Sequence, residues 1–247
     1  MWENISSEKS ESFIELHFGP KGKDTSGTST KPAITISREE GAGGLTVASN
    51  LAEYLQKRVP SHDVWTVFSQ HLVAKVLEEH HHHKGIADFM KEDRKGALTD
   101  AVEELLGLHP STWTLVEQTN ATILRLAQMG NVILVGRGAN VVTSELETVF
   151  HVYLVGSLEK RIERAQKTFD LDRKSAVNYI KKKDEGRRRY LKDNFDKDID
   201  DPLLYHVIIN TDLVQHDEAA RLIGDEVIRR FKLNSPVKAS GSWSRLT

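Results

Sequence analysis

Short apolar runs recur along the middle of the chain and alternate with stretches in which apolar residues return every three or four positions. The runs are nearly continuous and have the length of strands covered on both faces, whereas the spaced positions are typical of amphipathic helices. Strands are predicted at 33–37, 64–68, 132–136, 149–155 and 206–210. Strands that alternate with helices predict an α/β fold, a five-stranded parallel sheet flanked by helices.

Apolar positions at helical spacing mark the segments between these strands. They follow the first strand at 46–58, the second at 72–77 and the fourth at 158–165, precede the third at 115–126, and end the pattern at 220–231. The segment 69–126 is longer than one crossover helix, so we expect a small helical insertion over the edge of the sheet. A chain of 247 residues is long enough for one such domain, which we expect in preference to two small ones.

The two ends of the chain differ from its middle. Residues 1–32 are rich in Gly, Ser, Thr and Lys, which predicts a largely flexible extension, although the apolar positions within 13–18 suit an edge strand or a docking segment. Residues 233–247 are rich in Ser, which predicts a disordered tail. The folded unit is therefore expected at 33–232.

Composition excludes several classes of function. The chain is 38% hydrophobic and 28% charged, and no apolar run approaches the roughly 20 residues of a membrane helix, so we expect no membrane span. The polar, acidic first ten residues do not resemble a secretory signal peptide. The absence of cysteine excludes disulfides and is compatible with a cytoplasmic protein. A net charge of −2 gives no overall attraction for nucleic acid, so phosphate binding requires a local cluster.

A glycine-rich turn separates the first predicted strand from the first predicted helix, in the stretch AITISREEGAGGLTVASNLAEYLQKR at 33–58. Backbone N–H groups of such a turn point at an anion where the helix dipole is positive. The usual pattern G-x-x-x-x-G-K-[ST] has a lysine after its last glycine, whereas Gly43 is followed here by Gly44, Leu45 and Thr46. The turn predicts phosphate binding, and a tight connection without a ligand is the alternative.

A second stretch, NVILVGRGAN at 131–140, places Arg137 between two glycines directly after the third strand. Open parallel sheets bind ligands beyond the carboxyl ends of their strands, and the planar guanidinium fork suits a phosphate. An arginine that caps loop carbonyls or pairs with a local carboxylate is the alternative at this position.

Two further stretches are basic. VGSLEKRIER at 155–164 carries Arg161 and Arg164 on one helix face, and IKKKDEGRRRY at 180–190 holds six basic residues. The latter concentration indicates an anion clamp that closes over phosphates and excludes water. Solvated helix faces are the alternative for both.

Four consecutive histidines lie at 80–83. Neighbouring residues of a helix point about 100° apart, so the four do not all face one ion, and a helical histidine pair uses i,i+4 spacing. Exposed histidines without a native metal are therefore the better account, and metal binding is the alternative.

Together and in this order, residues 33–232 resemble the P-loop nucleoside monophosphate kinases, and most closely the cytidylate kinase-like family. Cytidylate kinases carry an isoleucine-rich strand and a G-x-S-G-A-G-K-G-T loop, whose lysine position falls on Gly44. A branch that also tends to lack the lysine often has S-R-E-F-G-S-G-G-R, and Ser37, Arg38 and Glu39 match it together with the glycines. Leu45 departs from that branch, because it takes the place of a basic residue.

Other family elements are similar to later parts of the chain. The D-G-R-D element, whose arginine holds the acceptor monophosphate, resembles 135–138 with both acidic positions lost. Residues 173–200 are similar to the family lid, whose D-x-x-x-R pattern falls on Asp184 and Arg188. The segments 201–202 and 210–211 match the part that precedes the last family helix.

The resemblance implies transfer of the γ-phosphoryl group of ATP to a small acceptor, with Mg²⁺ and small-molecule nucleotide partners. The residues it assigns to catalysis are Arg137, Arg161, Asp184, Arg187 and Arg188. Those it assigns to the nucleotide are Arg38, Gly41, Ala42, Gly43, Gly44, Leu45 and Thr46, the last also to Mg²⁺. Candidates to replace the lysine charge are Lys75, Arg38 and a lid lysine. The alternative is an inactive nucleotide- or anion-binding regulatory or scaffold protein. The acceptor and the oligomeric state are not readable.

Overall fold

The core of the protein is a five-stranded sheet in which every neighbouring pair of strands runs parallel. The structure is a computed structural model that describes residues 31–59, 64–69 and 112–233. Its strands are β1 (Ala33–Arg38), β2 (Thr66–Ser69), β3 (Val132–Val135), β4 (Val149–Val155) and β5 (Val207–Asn210). Their spatial order is β2-β3-β1-β4-β5, which confirms the predicted α/β fold.

Helices connect these strands. They are α1 (Gly44–Arg58), α2 (Thr112–Met129), the single turn α3 (Ala139–Val142), α4 (Leu158–Phe169), α5 (Arg173–Phe195) and α6 (His216–Arg230), with a 3₁₀ turn at Pro202–Leu204. None of the helices within the described ranges is long and apolar enough to cross a membrane.

Alternate residues of the strands feed two hydrophobic layers, because side chains of a strand point to opposite faces in turn. Ile34 and Ile133 belong to the layer covered by α1 and α6. Val132 and Leu134 belong to the other, which contains residues of α2 and of the second half of α5. Both faces of the central strands are thus covered, as their continuous apolar runs predicted.

Most strand boundaries fall within one or two residues of the predicted ones, and β4 has the predicted bounds. The first helix begins at Gly44 instead of at 46, because Gly43 adopts the left-handed conformation and forms the N-cap. The basic run at 181–189 is the middle of α5, a 23-residue helix. The predicted helix at 72–77 and most of the predicted insertion lie outside the described residues.

Helices α1 and α6 lie side by side with their N-termini at the same edge of the sheet. A Cβ on Gly224 of α6 would lie 2.5 Å from the ring of Tyr54 on α1, so a glycine is needed at this contact. The Tyr54 hydroxyl donates a hydrogen bond to Asp225 at 2.6 Å. This contact joins the second halves of α1 and α6.

The sheet changes its direction of winding between β1 and β4. The chain leaves β1 toward β2 on one side of the sheet, and it leaves β4 toward β5 on the other. Open α/β sheets bind their ligands in the crevice that such a reversal creates, beyond the carboxyl ends of the two strands. The turn at 39–43 and the start of α4 lie at this edge.

Candidate functional site

The glycine turn forms a bare helix N-terminus at the carboxyl edge of the sheet. Gly41 and Gly43 have φ of 81° and 84°, the left-handed region that favours glycine. The first intrahelical bond of α1 runs from the Val47 N–H to the Gly43 carbonyl at 2.9 Å. The N–H groups of residues 44–46 precede it and have no intrahelical acceptor, so the positive end of the helix dipole is available to an anion.

Both left-handed glycines are packed too closely for any side chain. A Cβ on Gly41 would lie 2.7 Å from the carbonyl oxygen of Arg161, and a Cβ on Gly43 would overlap the ring of His216. The turn is therefore held between the starts of α4 and α6. The turn residue Ala42 is also buried, and its N–H donates to the Glu39 carbonyl at 3.1 Å.

The arginine of β1 lies beside the position where a lysine is usual. A Cβ on Gly44 would lie 3.1 Å from Cγ and 3.2 Å from Cδ of Arg38, so the stem of Arg38 borders this position. Leu45 and Thr46 are exposed in the first turn of α1. Thr46 is the one residue of 39–46 that carries a hydroxyl group.

Arg161 of α4 is buried, with 7% of its surface exposed, and contacts the turn from the side. Its guanidinium donates to Asp184 Oδ2 at 2.6 Å and pairs with Glu39 at 3.3 Å. It also donates to the backbone carbonyls of Gly156 at 2.9 Å and Glu40 at 3.2 Å. These bonds fix Arg161 between the turn, the end of β4 and α5.

Arg187 of α5 is even less accessible, with 1% of its surface exposed. It donates to Asp184 Oδ1 at 3.1 Å and forms an ion pair with the carboxylate of Glu40. The same Asp184 oxygen accepts the backbone N–H of Glu40 at 2.8 Å. Asp184 thus joins the turn, α4 and α5, and the cluster combines three carboxylates with two guanidinium groups.

A second arginine of α4 contacts the other side of the turn. Arg164 donates to the carbonyls of Gly41 at 3.3 Å and Thr211 at 2.7 Å, and it pairs with Asp212 at 3.4 Å. Burial lowers the pKa of the adjacent His216, and the charge of Arg164 lowers it further. His216 is therefore neutral at pH 7.

Arg137 lies beyond the end of β3, as predicted, in contact with α5. Its guanidinium stacks on the ring of Tyr190 at 4.0 Å from the centroid, a cation–π contact. Gly138 has φ of 76°, and a Cβ there would lie 3.1 Å from Tyr190 and from Phe195. A Cβ on Gly136, in contrast, would have no atom of the described residues within 4 Å. None of those residues fills the space beside Gly136, next to Arg137.

Arg188 is the accessible arginine among those assigned to catalysis on α5. Its side chain is 48% exposed and donates to Asp200 at 3.1 Å. A small cleft lies between it and the turn, lined by Arg38, Glu39, Tyr153, Asp184, Arg187, Arg188 and Ile199. Burial, with a smaller effect of Asp200, raises the pKa of Tyr153, so its hydroxyl stays protonated.

The structure therefore brings most of the predicted residues to one edge of the sheet. The turn and Arg161, Asp184 and Arg187 are in direct contact, whereas Arg137 and Arg188 lie at separate parts of the α5 surface. Within the described residues, no group of three or more histidine or carboxylate side chains is placed to hold a metal ion. The histidines at 80–83 lie outside those residues.

Two features of the site were not predicted from the sequence. The first is the acidic pair directly before Gly41, because Glu39 and Glu40 pair with the arginines of α4 and α5. The second is His216, which contacts Gly43 from α6. The juxtaposition of an acidic pair with a glycine turn was the available signal for the first feature, and we find no such signal for the second.

Comparison with known proteins agrees with this geometry. A family model described as "Cytidylate kinase-like family" matches residues 33–213. A search of curated proteins finds no match. An uncharacterized protein from Eubacterium ventriosum ATCC 27560 is 20% identical, with a TM-score of 0.59 over 80% of this chain and 98% of that one, which shows a shared fold.

Two named kinases are more distant in structure. A shikimate kinase from Bacteroides thetaiotaomicron is 14% identical, with a TM-score of 0.46 over 78% of this chain and 97% of that one. A dephospho-CoA kinase from Campylobacter jejuni is also 14% identical, with a TM-score of 0.37 over 81% of this chain and 98% of that one.

Proposed function

The chain belongs to the cytidylate kinase-like family, and we propose that it transfers the γ-phosphoryl group of ATP to a nucleoside monophosphate or another small acceptor. The observation that carries this proposal is the meeting of a bare helix N-terminus with arginines of two helices at the β1/β4 crevice. Phosphoryl transfer needs little covalent chemistry from a protein and much positioning and charge neutralisation. The site offers both.

The donor nucleotide would bind at the turn. The amides of residues 44–46 would contact its phosphates, since that of Ala42 already donates to the Glu39 carbonyl. Arg38 would supply positive charge beside Gly44, where the lysine is missing. Mg²⁺ is commonly held by one or two protein ligands together with substrate phosphates, so the Thr46 hydroxyl fits a metal that arrives with the nucleotide. Bound in this way, the metal would neutralise charge on the phosphates.

The acceptor would bind near Arg137, beside Gly136, where a Cβ would meet none of the described residues. The Arg137 guanidinium, which stacks on Tyr190, would donate to the phosphate of the acceptor. Arg188 would approach the transferring group across the cleft, since its exposed pair with Asp200 is weak. Arg161, Arg187 and Asp184 would fix the turn and exclude water from one side of it.

The direct test is a panel of nucleoside monophosphates and small hydroxylated metabolites, each incubated with the protein, Mg²⁺ and γ-labelled ATP. A labelled product identifies the acceptor. The panel has to be broad, because the expected acceptor-side insertion at 69–126 lies mostly outside the described residues.

A second candidate function is binding of a nucleotide or another anion without catalysis, in a regulatory or scaffold protein. Two observations favour it: Gly44 and Leu45 leave the turn without its usual cation, and the buried arginines are paired with carboxylates of the chain itself. Binding of ATP without transfer to any acceptor would identify this function.

We also propose that 33–232 is the unit that carries the activity, between an extension at 1–32 and a tail at 233–247, with a lid at 173–200. Limited proteolysis followed by mass spectrometry tests the outer bounds, since cleavage should concentrate outside 33–232. Small-molecule nucleotides are the proposed partners, and the absence of cysteine is compatible with the cytoplasmic location proposed for the protein.

A further inference from the structure

Glu40 places a negative charge inside the turn that is proposed to bind phosphate. It directly precedes Gly41, and its side chain is 17% exposed while that of its partner Arg187 is 2% exposed. A carboxylate in this position competes with a phosphate for the same guanidinium, because both are anions that accept hydrogen bonds from an arginine fork.

Glu40 is not the only carboxylate that balances the positive charge of Arg187. Asp184, one turn earlier on the same helix, accepts from the other terminal nitrogen of Arg187 at 3.1 Å. The backbone of Glu40 is anchored separately, through its N–H to Asp184 and its carbonyl to Arg161. The Glu40 carboxylate is therefore the part of the cluster that can leave without releasing the turn or stranding a buried charge.

Glu39 differs from Glu40 in this respect. Its carboxylate pairs with Arg161 and also accepts the N–H of Gly156 at 2.9 Å, so it joins the turn to the end of β4. Removing Glu39 would leave the N–H of Gly156 without its partner. Within the described residues, the Glu40 carboxylate pairs with the Arg187 side chain and accepts no backbone N–H. The two neighbouring carboxylates thus have different roles: Glu39 is structural, and Glu40 is exchangeable.

We propose that Glu40 is an internal anion that occupies Arg187 in the free protein, and that a phosphate-bearing ligand binds to the turn by displacing the Glu40 carboxylate. The inference rests on the proposed function, because it concerns the same site. A phosphate at the turn and the Glu40 carboxylate repel each other at close range, so the side chain turns toward solvent and Arg187 becomes a ligand of the phosphate. The displacement lowers the affinity of the turn for the phosphate. It also couples ligand binding to the contacts that Arg187 makes from α5.

The test compares Glu40→Gln with the wild type by isothermal titration, with Mg²⁺-ATP and with inorganic tripolyphosphate as probes. Glu40→Gln should bind both about tenfold more tightly, since the competing charge is gone. Glu145→Gln is the matched control, because it removes the same charge from an exposed position after α3 and should bind as the wild type does. Glu40→Ala, which removes the carboxylate without adding an amide, should change affinity in the same direction.

Equal or weaker binding by both Glu40 variants overturns the inference while leaving nucleotide binding intact. Failure of the wild type and the variants to bind either probe overturns the proposed function as well. Thermal unfolding without ligand serves as the check on folding. If both Glu40 variants fail to fold, the carboxylate is structural and the inference is wrong.

Discussion

The Arg161 guanidinium donates to the Asp184 carboxylate at 2.6 Å, and this bond joins α4 to α5 beside the glycine turn. Asp184 also accepts from Arg187 and from the backbone N–H of Glu40. One buried carboxylate therefore holds three parts of the chain together.

Replacing Asp184 with alanine should lower the free energy of unfolding by about 3 to 5 kcal/mol, because it leaves two buried guanidinium groups short of a counter-charge. Urea unfolding measures the loss. Asp193→Ala, an exposed position on the same helix, should change stability by no more than about 0.5 kcal/mol. Equal effects of the two substitutions would show that the cluster contributes nothing particular to stability.

Gly41→Ala should destabilise the fold by about 1 to 3 kcal/mol, since it forces a side chain into left-handed backbone and against the Arg161 carbonyl. The displaced turn should also bind ATP at least tenfold more weakly. Gly136→Ala is the matched control, because its Cβ would meet no atom within 4 Å in the part of the chain that the structure describes. Chemical unfolding and ATP titration of the two variants provide the comparison, and a wild-type-like Gly41→Ala would contradict the close packing of the turn.

Acid should destabilise the protein already between pH 6.5 and 5. Burial lowers the pKa of His151 to about 4, with His206 and Arg230 adding to the effect, and its ring bonds to the buried Thr35 hydroxyl at 2.8 Å. The unfolded chain therefore binds a proton in this range that the folded protein does not, and stability falls by up to about 1.4 kcal/mol per pH unit. Burial also lowers the pKa of His206, which adds in the same direction.

The measurement is the free energy of unfolding at pH 7.0, 6.0 and 5.0. His151→Gln should show a shallower loss than the wild type over this range, because one of the titrating groups is gone. A slope that is unchanged in the variant would assign the acid sensitivity to other groups.

Arg188→Ala should abolish phosphoryl transfer, by at least about a thousandfold if the arginine stabilises charge on the transferring group. Stability should stay within about 1 kcal/mol of the wild type, since an exposed ion pair with Asp200 contributes little. Lys192→Ala removes a charge of the same sign from an exposed position on the same helix, and it should leave transfer unchanged. Activity that survives in Arg188→Ala would assign this role to another cation.

The centre of the sheet was predictable because β1, β3 and β4 are buried on both faces, so their apolar runs stand out from the polar segments around them. The start of α1 was less predictable, because Gly44 reads as part of the turn and its helical state depends on the left-handed Gly43. Boundaries set by backbone conformation carry a weaker sequence signal than those set by burial.

The site was predictable in its parts but not in its connections. Arg161, Asp184 and Arg187 were identified from their resemblance to family motifs, yet their pairing with Glu39 and Glu40 joins residues more than 120 positions apart, such as the 147 between Arg187 and Glu40. Periodicity and spacing describe neighbours along the chain, so such long-range ion pairs appear only once the sheet brings the helices together. These ion pairs give two of the arginines, Arg161 and Arg187, a structural role, since they hold the turn in the free protein.

Phosphate transfer by a glycine turn without its lysine is measured most directly as labelled-ATP transfer by purified protein across the acceptor panel. We expect a labelled product that requires Mg²⁺ and disappears in Arg188→Ala. ATP binding with no labelled product from any acceptor would contradict the phosphotransferase and favour the binding protein, and no ATP binding at millimolar concentration would contradict both.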